Sequence, residues 1–222
     1  MAFGPIMKLQ TDTGLEVELA PFMRDDVGAF LPGFQKASIT RYLHQNSAQT
    51  LETEQEWYDS MIRDQTSRTW GIWAVEDTRR HLIGTTSIEQ IRGSGILTAT
   101  TGIVIVDDAY HGRGIATATH RARSWYAFNS LAITRLVSYV YDGNGRSRHV
   151  IEKVGYSEHH ETRNECFANG KWMSVHVMEC LNPDDWAWRL WWGSDRPPRK
   201  NLEARRRTEE ALEWARAHVT LL

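Results

Sequence analysis

The stretch Val104-Ile105-Val106-Asp107-Asp108-Ala109-Tyr110-His111-Gly112-Arg113-Gly114-Ile115-Ala116-Thr117 has the residue types and spacing for binding chemistry. An apolar, β-branched run ends, two glycines flank an arginine, and a helix-like pattern begins. Glycine lets backbone come close to a ligand, and the first N–H groups of a helix have no partner within it. Together with the helix dipole they make an anion site, to which Arg113 adds charge. The spacing points to a phosphate or pyrophosphate at residues 112–117. A P-loop would end in Gly-Lys-Ser/Thr, and a dinucleotide fingerprint needs a third glycine where this chain reads ATATH. A tight strand-to-helix corner with no ligand would use the same two glycines. No Ser-His-Asp or Cys-His order compels a nucleophilic mechanism.

The elements that must position this turn read as a mixed α/β chain. LEVELAP (15–21) alternates with period two, as a strand does, and Arg24-Asp25-Asp26 opens a helical segment. Thr53 with Glu56 makes a capping box, which predicts a helix over 54–65. WGIWAVE (70–76) and HLIGTTSIEQI (81–91), separated by DTRR, predict a hairpin. ILTATTGIVIVD (96–107) lacks clean alternation, which suggests a central strand buried on both faces. The Gly-rich turn then runs into a helix. TRLVSYVY (134–141) is a further strand, followed by DGNGRS and a short helix ending at Gly155. Asn169-Gly170 between YSEHHETRNECFA and KWMSVHVMECL is a strong hairpin signal. The sheet should therefore be mostly antiparallel and flanked by helices (α+β).

That hairpin bears on the cysteines. If Ala168 opposes Lys171, Cys166 opposes Met173 and Cys180 opposes His159. The two thiols then lie about 23 Å apart along the ladder, too far for a disulfide. His159 beside Cys180 supplies two metal ligands without a third or fourth, so no metal site is expected.

Composition sets outer bounds. The 222 residues suit one large domain or a domain with an appendage. With 26 basic and 28 acidic residues, net charge −2, the surface has no strong single-sign field, which argues against a dedicated nucleic-acid packer. No run of about 18 apolar residues spans a membrane. The N-terminus lacks the pattern of a secretory signal, and two cysteines make no disulfide framework, so a reducing cytoplasm is the default compartment. Of the ten tryptophans, Trp186, Trp188, Trp191, Trp192 and Trp214 fall in the last 37 residues.

His-Gly-Arg-Gly-Ile-Ala resembles the acyl-CoA pyrophosphate loop of the GNAT N-acetyltransferase family, written Arg/Gln-x-x-Gly-x-Gly/Ala. Gly114 and Ala116 match, and His111 replaces the usual first residue. Downstream, Asn144-Gly145-Arg146-Ser147 and then Lys153-Val154-Gly155-Tyr156 resemble the family's Asn-x-x-Ser/Ala and Lys-hydrophobic-Gly-Phe/Tyr blocks. ITRYLHQ…TLETEQEWYDSM resembles the ribosomal-protein alanine N-acetyltransferase (RimJ/RimL-like) branch. The resemblance covers roughly residues 14–181. It implies direct transfer of an acetyl group from acetyl-CoA to an amine. By position, the backbones of Val104 and Val106 would pair with the pantetheine, while His111, Gly112, Arg113, Gly114, Ile115, Ala116 and Thr117 would hold the pyrophosphate. Asn144 would bond the pantetheine arm, with Ser147 near the sulfur. The family's usual tyrosine, seven residues after the asparagine, is Ile151 here, which leaves Ser147 as the candidate acid. The branch's glutamate on the central strand is absent from Thr100-Thr101-Gly102, so Glu89 is the nearest candidate base. A capping serine and an exposed strand-end charge are the plainer readings of those two residues.

Past Leu181 the pattern changes, dividing the chain into 1–181 and a Trp-rich helical extension, 182–222. WAWRLWWG reads as a short helix after Asn182-Pro183-Asp184-Asp185, and NLEARRRTEEALEWARAHVTLL as a second. They are expected to pack on the sheet or on a partner subunit, which leaves open a homodimer formed through the extension. Acids interleaved with Arg205-Arg206-Arg207 make nucleic acid a poor partner. The acceptor expected is an amine, on a protein N-terminus or a small molecule. A non-catalytic acyl-CoA-binding module and an enzyme acting on aminoacyl-tRNA are the alternatives.

Overall fold

A computed structural model describes residues 2–43, 49–168 and 170–222. The described residues form a sheet of nine strands: β1 (Met7–Gln10), β2 (Glu16–Ala20), β3 (Arg68–Glu76), β4 (Arg79–Arg92), β5 (Thr98–Ile105), β6 (Arg135–Tyr141), β7 (Ser157–Ala168), β8 (Lys171–Leu181) and β9 (Val219–Leu221). Their order across the sheet is β7-β8-β6-β5-β4-β3-β2-β1-β9. Every pairing is antiparallel except β5 with β6. The helices are α1 (Leu31–Phe34), α2 (Ala37–Thr40), α3 (Leu51–Met61), α4 (Ile115–Ser130), α5 (Gly145–Lys153), α6 (Asp185–Trp192) and α7 (Arg199–His218). Short 3-10 helices cover Arg24–Phe30 and Asp108–Tyr110.

Alternation along the strands feeds two apolar clusters. The larger joins Leu19, Ile72, Ile88, Ala99, Leu136 and Met178 to Ile115, Ala118 and Ala122 of α4, Ile151 near the end of α5, and Ala211 and Leu212 of α7. The smaller lies on the other face, where Phe22, Val27, Phe30, Met61 and Val106 pack with Trp73 and Val104.

Local chemistry explains most element ends. The β3–β4 hairpin turns on Asp77 and Thr78, both at positive φ (46° and 72°), as a two-residue hairpin matched to strand twist requires. The strands run closer together than the DTRR break suggested, with Glu76 facing Arg79. Helix α3 starts three residues earlier than the Thr53–Glu56 pattern predicts. Thr50 is the cap: its hydroxyl accepts from Thr53 N–H, and Thr53 Oγ1 accepts from Thr50 N–H. The helix also stops earlier, because Asp64 turns the chain by accepting from Thr66 and Ser67.

Two further expectations change. In the β7–β8 hairpin Ala168 does face Lys171 and Cys166 does face Met173. Asn169, and His44 and Gln45 of the branch-like stretch, lie outside the described residues. Irregularities between Glu158 and His160 and between Thr162 and Cys166 then displace the ladder, so Cys180 does not face His159. Cys180 pairs with Leu136 across the β6–β8 ladder, and both cysteines are free thiols. The end of the chain is not all helix: after His218 it becomes β9, which pairs with β1 and closes that edge of the sheet. Beside it, Trp214 and Val219 pack against the larger cluster.

Candidate functional site

The site begins where β5 and β6 part. They pair in parallel only over Thr98–Arg135, Ala99–Leu136 and Thr100–Val137. Beyond that, β5 stays bonded to β4 as far as Ile105 while its other edge is released. The GIVIV run therefore is not buried on both faces as its pattern suggested: Gly102, Ile103, Val104 and Ile105 are half-buried along an open gap. Strand backbone alternates, so only every second residue presents its N–H and C=O to that gap. Thr101 C=O accepts from Ser138 Oγ of β6, on the gap side. Val106 N–H donates to Ile83 C=O (2.8 Å), and Val104 C=O lies against Gly84, both on the β4 side. The expectation for Val104 and Val106 is thus corrected by one residue: Ile103 and Ile105 turn their backbones to the gap.

At the end of β5 the chain makes the turn that the sequence singled out. Gly112 and Gly114 adopt φ of 76° and 79°, which glycine reaches without a side-chain clash. Gly114 caps α4, and no side chain satisfies the helix start. The first backbone bond of that turn is Ala118 N–H to Gly114 C=O, so the N–H groups of Ile115, Ala116 and Thr117 precede the intrahelical ladder. With no acidic residue in this first turn, the dipole's positive end is unopposed locally. Thr13 Oγ1 fixes the turn by donating to Arg113 C=O (2.9 Å). Ile115 and Thr117 are buried, while Ala116 is half-buried.

The flanking side chains are more committed than their types suggest. The Arg113 guanidinium pairs with Glu76 (2.7 Å) and stacks over Tyr110, whose hydroxyl also donates to Glu76. These bonds, Arg113's first, hold the Glu76 carboxyl below its usual range. His111 Nε2 lies 3.0 Å from Ile105 C=O, on the rim of the gap. On the opposite wall Asn144 caps α5, its Oδ1 accepting from Ser147 N–H (3.2 Å). Ser147 is therefore the third residue of the helix rather than its cap. Tyr42, after α2, donates to Gly143 C=O beside Asn144 (2.8 Å). Glu89 stands on β4 opposite Thr100 and accepts from Ser87 Oγ (2.6 Å). Alternation puts Ser87, Glu89 and Val104 on the face covered by the smaller apolar cluster. Glu89 is thus one strand away from the gap, on one face of the sheet, while Asn144 and Ser147 lie beyond β6. A cavity of about 490 Å³ lined by Asp25, Asp26, Trp73, Arg80, His81 and Asp107 sits on the β4 side of β5, apart from the gap.

Sequence reasoning missed Arg123, and it read His120 as facing phosphate or solvent. Arg123 of α4 is fully buried and donates from Nη1 to both Gly102 C=O and Thr86 Oγ1 (2.6 Å each) and from Nη2 to His120 Nδ1 (2.7 Å). Close by, Tyr156 and Thr101 hydroxyls bond at 3.0 Å. Burial, then the charge of Arg123, holds the His120 imidazole well below the ordinary histidine value. The available signal was the i, i+3 spacing of His120 and Arg123 among Ala118 and Ala122, polar groups on an apolar face.

Residues 16–157 match the acetyltransferase (GNAT) domain family. The chain belongs to that family. This GNAT protein is an acetyl-CoA-dependent N-acetyltransferase whose acceptor is an amine. It is 33% identical to the probable N-acetyltransferase YjcK of Bacillus subtilis over 68% of the chain and 73% of that protein. It is 24% identical to the spermidine N(1)-acetyltransferase of Escherichia coli K12, over 74% of the chain and 85% of that protein. Among solved structures, the spermidine N-acetyltransferase of Vibrio cholerae in complex with CoA and spermine superposes with a TM-score of 0.65 at 23% identity, over 74% of this chain and 95% of that one. Mycobacterium smegmatis RimJ in complex with CoA-disulfide gives 0.67 at 18% identity, over 85% and 93%. At such identities the two structures speak for the fold. The GNAT fold is the mixed, mostly antiparallel sheet flanked by helices that the sequence led one to expect. The residues present suit acetyl-CoA: an unopposed helix start for phosphates and an unpaired strand edge for an amide-bearing arm.

Proposed function

We propose that this GNAT protein transfers the acetyl group directly onto a primary amine, on a small molecule or at a protein N-terminus, with no acyl-enzyme. The observation that carries the reading is the parting of β5 from β6 directly ahead of the uncapped, glycine-bounded start of α4. An anionic end and an extended amide-bearing arm of one donor fit those two features together. In this reading residues 112–117, with His111 and Arg113 at the rim, take the pyrophosphate. The Ile103 and Ile105 backbones pair with the arm, and Asn144 offers its amide Nδ2 while Oδ1 caps α5. Acetyl-CoA supplies the activated acetyl group. The amine nitrogen forms the new C–N bond as the C–S bond breaks. Glu89, directly or through a water, accepts the amine's proton, and Ser147 gives one to the departing thiolate. The spermidine N(1)-acetyltransferase and the N-acetyltransferase YjcK among the relatives support an amine as the acceptor class.

The test is release of CoA, followed with a thiol reagent, across a panel of polyamines, aminoglycosides and N-terminal peptides, with acetyl-CoA binding measured by calorimetry. At least one amine should release CoA. Gly114→Glu, which places a carboxylate at a residue held at φ 79°, should abolish acetyl-CoA binding. Tight binding with no release from any amine would show an acyl-CoA-binding module instead.

A further inference from the structure

Arg123 carries a charge in the middle of the molecule, yet among the described residues no carboxylate forms an ion pair with it. A buried guanidinium is kept only where its hydrogen bonds replace water, and here the replacement is incomplete, since its Nε has no partner. What the guanidinium grips is specific. On the β4 side, where Gly102 pairs with Ser87, its C=O receives two side-chain bonds, one from Arg123 Nη1 and one from Thr86 Oγ1 (2.9 Å), while Thr86 itself accepts from Arg123. This carbonyl lies two residues past Thr100, the last residue of β5 that pairs with β6.

The alternation established above settles what stands at the other end of that peptide. Gly102 C=O is drawn away from the gap, so the amide N–H it shares the peptide with, that of Ile103, points into the gap. Thr101 C=O and Ile105 C=O, residues of the same parity, mark the gap side through their bonds to Ser138 and His111. A charge-assisted bond to a peptide carbonyl withdraws electrons from its nitrogen and makes the N–H a stronger donor. The same bond fixes the direction of that N–H. Preorganised donors of this kind stabilise the charge that develops on a thioester oxygen during acyl transfer.

We propose that Arg123 is a positioning residue for acetyl transfer: through the Gly102–Ile103 peptide it polarises and aims the Ile103 N–H at the acetyl carbonyl oxygen of the donor. The proposal rests on the gap being the donor site. His120 fixes the other end of the guanidinium with Nδ1 as acceptor, so its ring is neutral and carries its proton on Nε2. Thr86 completes the clamp from β4. Among the described residues no carboxylate bonds the cation; Glu89 acts on it only through its charge from the other face of the sheet, so the hydrogen bonds of the guanidinium stay directed at the Gly102 carbonyl.

Infrared difference spectroscopy with acetyl-CoA labelled with carbon-13 at the carbonyl tests this without an acceptor. Binding to the parent protein should move the carbonyl stretch to lower frequency. Arg123→Met should bind acetyl-CoA within about twofold of the parent, lose most of that shift, and lower kcat about 100-fold with little change in KM, the scale of one lost oxyanion donor. Arg123→Lys, which keeps the charge without the fork, should restore part of both. If Arg123→Met does not fold, Thr86→Val provides the milder version and should reduce the shift and lower kcat about tenfold. An unchanged carbonyl shift in a variant that still binds would overturn the role of Arg123 and leave the donor site standing. Failure of the parent to bind acetyl-CoA would overturn the donor-site reading and this inference together.

Discussion

At the residue scale, the site is defined by what each side chain is already doing. Arg113 reads as a free cation in sequence, but Glu76 and Tyr110 hold it, so it is a fixed, partly neutralised group. His120 shows the reverse, since a helix histidine beside arginines reads as solvated and is in fact 2% exposed. Its folded-state pKa lies well below the unfolded value near 6.5, because burial and Arg123 both disfavour the imidazolium. The unfolded chain therefore binds more protons between those two values, and stability falls as pH drops below about 6.5. His120→Gln should remove that contribution. Chemical denaturation at pH 7.5 and pH 5.5 should show a loss in the parent that exceeds the variant's by up to about 1.4 kcal/mol per pH unit. Equal losses would mean that His120 is not the titrating group.

At the element scale, one corner ties the tail to the site. Gly155 ends the α5 turn at φ 101°, and a side-chain carbon there would run into Thr208 of α7. Thr208 Oγ1, which donates to Ala204 C=O (2.9 Å), lies 3.4 Å from both Gly155 C=O and Cys180 Sγ. Burial pushes that thiol up to about 12. Gly155→Ala combines left-handed backbone strain with a clash against backbone, and should cost about 3 kcal/mol by denaturant titration. Thr208→Ala added to it should recover little, because the Thr208 backbone remains in the way. The Gly-Tyr pair of the downstream motif thus acts by packing: Gly155 seats α7, and Tyr156 extends the buried polar group under β5.

At the scale of the whole molecule, the extension is fastened to the same chain. Helix α7 lies on α4, with Arg121 stacked over Trp214 and bonded to Asp12, and β9 pairs with β1. The arginine run is consumed by acids, Arg205 on Asp185 and Glu209, and Arg206 and Arg207 on Glu203, which leaves little free charge for a phosphate backbone. Three of the five late tryptophans pack with neighbouring cations, Trp188 with Arg205, Trp191 with Arg135 and Trp214 with Arg121, while Trp186 is exposed. Truncation after residue 198 would uncover the faces of α4 and β8 on which α7 packs, Cys180 among them, and free the β1 edge. The shortened chain should lose its cooperative thermal transition in calorimetry and recover mainly in aggregates. A sharp transition close to that of the intact chain would show that the first 198 residues form their own core.

The sequence by itself determined the class of fold, the glycine turn ahead of α4 and the elements that carry both motif blocks, because those depend on local rules: period-two alternation, glycine at positive φ, an asparagine ahead of a helix. It placed the glycine turn between β5 and α4 where the structure has it. Everything that depends on two distant segments meeting was decided by the tertiary structure. Which residues of β5 face the gap was off by one, since register follows from bulges and from the strand that stops pairing. Arg123, separated by 21 positions from the Gly102 carbonyl it holds and by 37 from Thr86, reads as surface in the sequence because a charge reveals its burial only when its partners are in place.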